Sequence, residues 1–395
     1  MPETIKSIGK ATNRVDGIKK VTGQARYAAE FDMEGLLYGY IINSSIVKGR
    51  IASIDTSKAE AVHGVMKVFT HLNLPEYLKN NSDYDEPMAP PGSPFRPLYN
   101  ADIIYNDQPI ALVVADTFEA ARYAAGLVAV EYDENSSFST DLASNLDKAT
   151  TEDVDDPPED RGDAEAAFET AEVQLELEYS QPRQYHNPME THASVVSWDD
   201  QKQHFEVYDK IQGVASSQQY VAGVFSLDAG QVRVKAPFIG GGFGSGLRPQ
   251  YQLFFAALAS KELKKPVKVV MTRKQMFSFG HRPACIQRMK VGADKNGKLE
   301  AIQHIAYGET STWEKFSEPV LNWTGLMYQC DHVALDYKLV QLDNYTSLDT
   351  RGPGGTTGLF ALETAMDELA VKLEMDPLEL RLINYAEKDQ NIRPL

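Results

Sequence analysis

Cysteine is scarce in this sequence: only Cys285 and Cys330 occur in 395 residues, and neither belongs to a CxxC pair. That excludes a thiolate-held iron–sulfur cluster or a four-cysteine zinc site within the chain, and fits buried thiols in a reducing compartment. No apolar run approaches the roughly 18–20 residues that cross a bilayer. The opening "MPETIKSIGK" has no apolar signal core either, so a cytoplasmic location is expected. Positive charge is also in deficit, with 39 Lys and Arg against 56 Asp and Glu and a formal charge of -17. Nucleic-acid phosphates would be repelled by most of such a surface. Neither nucleic acid nor a membrane is an expected partner.

A hydrophobic content of 43% reads as globular, and the length allows two or more cored units. "LLYGYIINSS", "VMKVFTH" and "QPIALVVAD" read as strands, with a short helix at "SKAEAVHG". "TFEAARYAAGLV" reads as a helix with Thr117 as its N-cap. Six prolines in 71–100 predict a loop. These elements make a compact α/β or α+β domain over residues 18–134.

Residues 135–163 are rich in Ser, Thr, Asp, Glu and Pro and end in "TTEDVDDPPEDRGD". That composition predicts an exposed, protease-sensitive linker. A larger α+β domain is expected over 164–395. Its strands alternate in "VQLELEYS", "HFEVYDK" and "QVRVKAPF". Asn296-Gly297 marks a hairpin, and "GLFALETAMDELAVKLEM" reads as a long amphipathic helix.

The densest motif is "APFIGGGFGSGLRPQ", with glycine at 240, 241, 242, 244 and 246. No choice among these fits a dinucleotide loop, because the last required position falls on Ser245, Leu247 or Pro249. Leu247 after Gly246 excludes a Walker loop, and Phe243 two residues before Ser245 excludes a nucleophile elbow. What remains is a tight strand-to-helix corner, or a backbone whose N–H groups approach an anionic or polarised oxygen. Phe243 favours the second, since a corner gains nothing from an aromatic.

Three other stretches carry candidate chemistry. "YHNPMETH" places His186, Glu190 and His192 on one parity, hence one strand face if the strand continues. Pro188 interrupts it and no fourth ligand is near, so a polar cluster is expected rather than zinc. Gln212, after a strand, can donate to a ligand oxygen or simply bond backbone at a turn. Arg351, in "DTRGPGGTTG", is a fork for carboxylate or carbonyl oxygen. Its alternative role is a surface ion pair with Glu363, Asp367 or Glu368 on the following helix.

Together, "RVDGIKKVTGQARYAAEFDMEGLLYGYIINSS", "YHNPMETHASVVSWDD", "FIGGGFGSG" and "RGPGGTTGLFALETAMDELA" resemble the molybdopterin-binding large subunit of the xanthine oxidase and aldehyde oxidoreductase (molybdenum hydroxylase) family. The resemblance implies an α/β hammerhead domain over 18–134 and the first of two molybdopterin-binding domains after it. It implies a molybdenum centre carried by a pterin dithiolene, not by protein side chains. Gly241, Gly242, Phe243, Gly244 and Gln212 would bind that cofactor, and Arg351 would orient substrate. Iron–sulfur and FAD subunits are the implied partners. Leu247 stands where purine-oxidising members carry a glutamate, which favours an aldehyde or simple heterocycle as substrate.

Family chains of this kind run about twice as long. The second molybdopterin domain, with its general-base glutamate, is expected on a further segment or a separate subunit, and the chain alone is expected to be inactive. A non-catalytic binding or assembly module that keeps the fold is the competing expectation.

Overall fold

The structure, a computed structural model, describes residues 9–79, 97–155 and 158–388. Much of the predicted 71–100 loop and residues 389–395 of the second expected domain lie outside them. In chain order the strands begin with β1 (Leu37–Asn43), β2 (Gly49–Asp55), β3 (Val65–Thr70), β4 (Asp102–Ile103) and β5 (Pro109–Ala115). They continue with β6 (Ala129–Glu134), β7 (Val173–Gln181), β8 (Ala193–Asp199), β9 (His204–Asp209) and β10 (Val232–Lys235). The last are β11 (Val267–Val270), β12 (Cys285–Ala293), β13 (Leu299–Ser311) and β14 (Val333–Leu342).

The largest sheet runs β10-β9-β8-β11-β1-β5-β3. Strand β5, PIALVVA, is buried at every position, as a run without polar alternation requires. The helix Phe118–Ala125 packs against β1 and β5. Its N-cap Thr117 accepts from the Ala120 amide. Beyond β1 the sheet does not stop at the expected domain boundary. Strand β1 pairs in parallel with β11, Leu37 opposite Val267, so strands from both expected units share one sheet. The helix Tyr251–Leu263 covers β8 and β11 and is buried along most of its length.

A second sheet, β14-β13-β12-β7, carries the other large core. The hairpin between β12 and β13 turns through Asn296 and Gly297, with the Gly297 amide donating to the Asp294 carbonyl. The helix Gly355–Leu373 lies across β7 and β12 and buries Leu362, Met366 and Leu369. A third sheet, β4-β2-β6, completes the first unit.

Most described residues of 135–163 are exposed, as their composition predicts, but the stretch is not detached from the core. Thr150 exchanges two backbone hydrogen bonds with Leu339, and Arg161 exchanges two with Val333. Leu142 is buried against Val340 and Leu342. Asp153 is buried and accepts from Gln341 Nε2 at 2.7 Å. A segment poor in apolar residues is held here by backbone pairing along the outer side of β14, an attachment that composition does not register.

Candidate functional site

Strands β9 and β10 run parallel, β11 and β1 run parallel, and β8 is antiparallel to both β9 and β11. All four parallel strands therefore end at one edge of the sheet. Open sheets with parallel strands present their ligand sites at such a carboxyl edge. Gln212 leaves β9 there, the glycine loop leaves β10, and Arg273 leaves β11.

Gln212 and the glycine loop are built against one another. The Gly244 and Gly246 amides donate to Gln212 Oε1 at 3.2 and 3.3 Å, and the Gln212 amide donates to the Gly246 carbonyl at 2.6 Å. A Cβ on Gly242 would lie 2.2 Å from Gln212 Oε1. At Gly244, where φ is +103°, a Cβ would lie 2.2 Å from the Asp349 carbonyl oxygen. Neither position accepts a side chain without displacing a neighbour.

Phe243 holds φ at 56°, in the left-handed region, and is 48% exposed. Core packing does not explain it. A non-glycine residue in that region marks local strain that surrounding structure must hold. Here the clamp is visible: the Arg351 amide donates to the Phe243 carbonyl at 2.9 Å.

Three consecutive amides, of Gly241, Gly242 and Phe243, donate to no acceptor among the described residues. The Gln212 side-chain amide nitrogen also has no partner there, its oxygen being used on the loop. Successive N–H groups around a left-handed residue form a concavity for an anionic or polarised oxygen.

Gln212, Gly241, Gly242, Phe243, Gly244 and Arg351 thus meet at one place. Arg351 is exposed, and its guanidinium makes no ion pair among the described residues. The acidic helix face has other partners. Arg381 pairs with Glu363 at 2.7 Å and Asp367 at 2.8 Å, and Tyr179 donates to Glu368.

The 186–192 stretch forms a second wall but not as a strand face. Strand β7 ends at Gln181 and β8 begins at Ala193, so Pro188 sits in a loop and the expected parity does not apply. His186 Nε2 meets the Asp349 carbonyl at 2.6 Å. Glu190 accepts from the Gly240 amide at 2.6 Å, and burial raises its pKa. Arg273 ties the loop down by donating to Asn187 Oδ1 and the Met189 carbonyl. Among the described residues, no group of three or more His, Cys, Asp or Glu side chains could hold a metal ion.

Lys210 is fully buried on this wall, and neither its Nζ nor His192 Nδ1 has a hydrogen-bond partner among the described residues. Burial lowers the Lys210 pKa to about 8, opposed by Glu190 and Asp209. Periodicity alone would place a lysine at the end of a strand in water, so no sequence signal marks it. Nor does anything local mark the buried Arg282–Glu318 pair, whose members lie 36 residues apart. Ser347, His281 and Glu309 cluster elsewhere, but both Ser347 Oγ and Glu309 Oε1 meet the same ring nitrogen, Nε2. A nucleophile–base–acid relay needs the two ring nitrogens separately, so this cluster is not one.

Residues 147–385 match the molybdopterin cofactor-binding domain family. Residues 22–136 match the aldehyde oxidase and xanthine dehydrogenase a/b hammerhead domain. The chain is 35% identical over 390 residues to the aldehyde oxidoreductase molybdenum-binding subunit PaoC of Escherichia coli O157:H7, covering 98% of this chain and 51% of that protein. It is 30% identical to the nicotinate dehydrogenase large molybdopterin subunit of Eubacterium barkeri, covering 95% of this chain and 89% of that one. The crystal structure of quinoline 2-oxidoreductase from Pseudomonas putida 86 superimposes with a TM-score of 0.82 at 23% identity, over 98% of this chain and 51% of that one. That likeness speaks to the fold. Several of the curated relatives are thus about twice the length that this chain spans, whereas the Eubacterium subunit is nearly matched end to end.

Proposed function

The chain belongs to the molybdopterin cofactor-binding family of the aldehyde oxidase and xanthine dehydrogenase type, and from that premise we propose that it forms one wall of a molybdenum hydroxylase active site. The complete enzyme would oxidise an aldehyde or a heteroaromatic C–H group. One observation carries the reading: among the described residues, the amides of Gly241, Gly242 and Phe243 and the side-chain amide of Gln212 have no acceptor at the sheet's carboxyl edge. The space where a Gly242 side chain would stand is taken by Gln212, so the loop is shaped to present backbone. These residues fit a group that offers oxygen acceptors and brings its own metal. When bound, the molybdenum–pterin group supplies the two-electron oxidation, with water as the oxygen source.

The chain's own residues bind and orient. The Gly241, Gly242 and Phe243 amides and the Gln212 side-chain amide would hold the group by donating to its oxygen acceptors, and Gly244 lets the loop lie against Asp349. Arg351, whose backbone is clamped to Phe243 through its amide, would present its positive charge to the substrate oxygen. A preorganised charge of this kind stabilises negative charge that grows on the oxygen during reaction. Leu247, 45% exposed beside the loop, offers an apolar contact where a purine site would need a polar one. That favours aldehydes and simple heterocycles.

A second molybdopterin domain would supply the general base, and iron–sulfur and FAD subunits would carry the electrons away in a cytoplasmic complex. The Eubacterium relative, of comparable extent, supports this chain acting as one subunit of such an assembly.

The test is Arg351→Ala in the complete enzyme. We expect kcat/KM on an aldehyde to fall about a hundredfold or more, corresponding to about 2.7–4 kcal/mol, with molybdenum content unchanged. An unchanged kcat/KM would overturn the role given to Arg351.

A further inference from the structure

Beneath the Arg351 loop lies a charged pair for which the proposed function so far has no use. The Arg282 and Glu318 side chains are 6% and 1% exposed and meet at 2.7 Å, Nη1 to Oε1. Arg282 Nη2 donates to the Arg351 carbonyl at 2.6 Å, and Nη1 reaches the Gly352 carbonyl at 3.4 Å. Glu318 Oε2 accepts from Thr357 Oγ1 at 2.9 Å, and Oε1 accepts from Thr350 Oγ1 at 3.4 Å. One ion pair therefore grips the chain immediately before Arg351, at Arg351, immediately after it, and in the first turn of the following helix.

The backbone is shaped to bring Glu318 there. A Cβ on Gly354 would lie 2.1 Å from the Pro319 carbonyl oxygen, and one on Gly358 would lie 1.9 Å from that of Val320. The glycines of "RGPGGTTG" thus allow the segment that follows Glu318 to lie directly against the helix start. Two buried charges are an expensive way to fill a core, since each must be desolvated. A fully satisfied buried network does something an apolar cluster does not: it fixes a backbone at a definite place. Arg351 needs such fixing. Its own guanidinium is exposed and makes no ion pair among the described residues, so only its backbone locates it.

We propose that Arg282, held by Glu318, is the positioning residue that sets where Arg351 stands relative to the glycine loop. This rests on the reading of Arg351 as the substrate-facing arginine. Arg282 acts through the Arg351 carbonyl and touches neither substrate nor cofactor.

The experiment has two arms. In the first, amide hydrogen exchange is followed on the full chain. Arg282→Gln should speed exchange at the Arg351 amide and the 352–358 amides by about tenfold or more, while β12–β14 amides keep their protection. Arg282→Lys, which keeps the charge but not the fork, should fall between. If Arg282→Gln does not fold, Thr357→Val removes one donor to Glu318 and should speed the same amides by a smaller factor. Unchanged exchange at Arg351 in a folded Arg282→Gln or Thr357→Val protein would overturn the proposal. In the second arm, kcat/KM of the complete enzyme is measured for Arg282→Gln, Arg351→Ala and both together. The double variant should be no slower than Arg351→Ala alone, because both changes remove one function. Losses that multiply would overturn the proposal. The exchange arm makes no reference to activity, so a silent Arg351→Ala would refute the substrate role of Arg351 separately.

Discussion

Phe243 shows how much of the site is decided by single residues. Its left-handed φ of 56° places an aromatic where a glycine would rest more easily, and the Arg351 amide holds it. The "GGGFG" spacing made that oddity visible in the sequence, because an aromatic among glycines has no turn-forming role. Lys210 was not visible. Its burial follows from β9 running under the 186–192 loop, which only tertiary pairing with Ala193 reveals. Its depressed pKa makes a prediction with a definite sign. The folded chain releases this proton near pH 8, whereas an unfolded lysine holds it to about 10.4, so folded-state stability rises as pH climbs through that window. Between pH 7.5 and 9.5 the wild type should gain about 2 kcal/mol relative to Lys210→Met, read from denaturation midpoints. Parallel pH profiles for the two proteins would show that the ammonium is not buried alone.

At the scale of elements, the helices and hairpins were the most legible. The helix from Gly355 carries its apolar periodicity openly, and Asn296-Gly297 marks its turn. Strand β8 lacks clean alternation, whereas β14 alternates buried Val333, Leu335, Tyr337 and Leu339 with half-buried neighbours, yet nothing local shows that it pairs in parallel with β13. The start of the helix Gly355–Leu373 is set by close approach rather than by capping, since no side chain caps Gly354. Gly358→Ala would put a methyl group 1.9 Å from the Val320 carbonyl oxygen. We expect a loss of about 1–3 kcal/mol in unfolding free energy, despite alanine's better helix propensity. A stabilised variant would mean that the 318–323 segment does not press on this helix.

Across the whole molecule, the sequence divided the chain where composition changes, at 135–163. The structure joins what that division separates. Strand β1 of the first unit pairs with β11 of the second, and the acidic stretch is laced to β14 at Thr150 and Arg161. Hydrophobic pattern reports what a segment buries, and it is silent about backbone pairing between distant strands. The acidic stretch should therefore resist proteolysis better than its composition suggests, with no early cleavage between Ser139 and Val154. First cuts inside that interval would show the pairing with Leu339 to be weak.

The site inherits the same logic, because Gln212, the glycine loop and Arg351 are separated along the chain and meet only through the sheet edge and the Arg282 support. The resemblance named these residues, but their mutual clamping belongs to the fold. We propose that this edge receives the molybdenum–pterin group. Anomalous scattering at the molybdenum edge, from crystals of the complete enzyme, tests it most directly. A single molybdenum peak is expected beside the Gly241, Gly242 and Phe243 amides and the Gln212 side chain, with Arg351 across the opening. A molybdenum peak elsewhere, with those amides bonded only to protein or water, would contradict it.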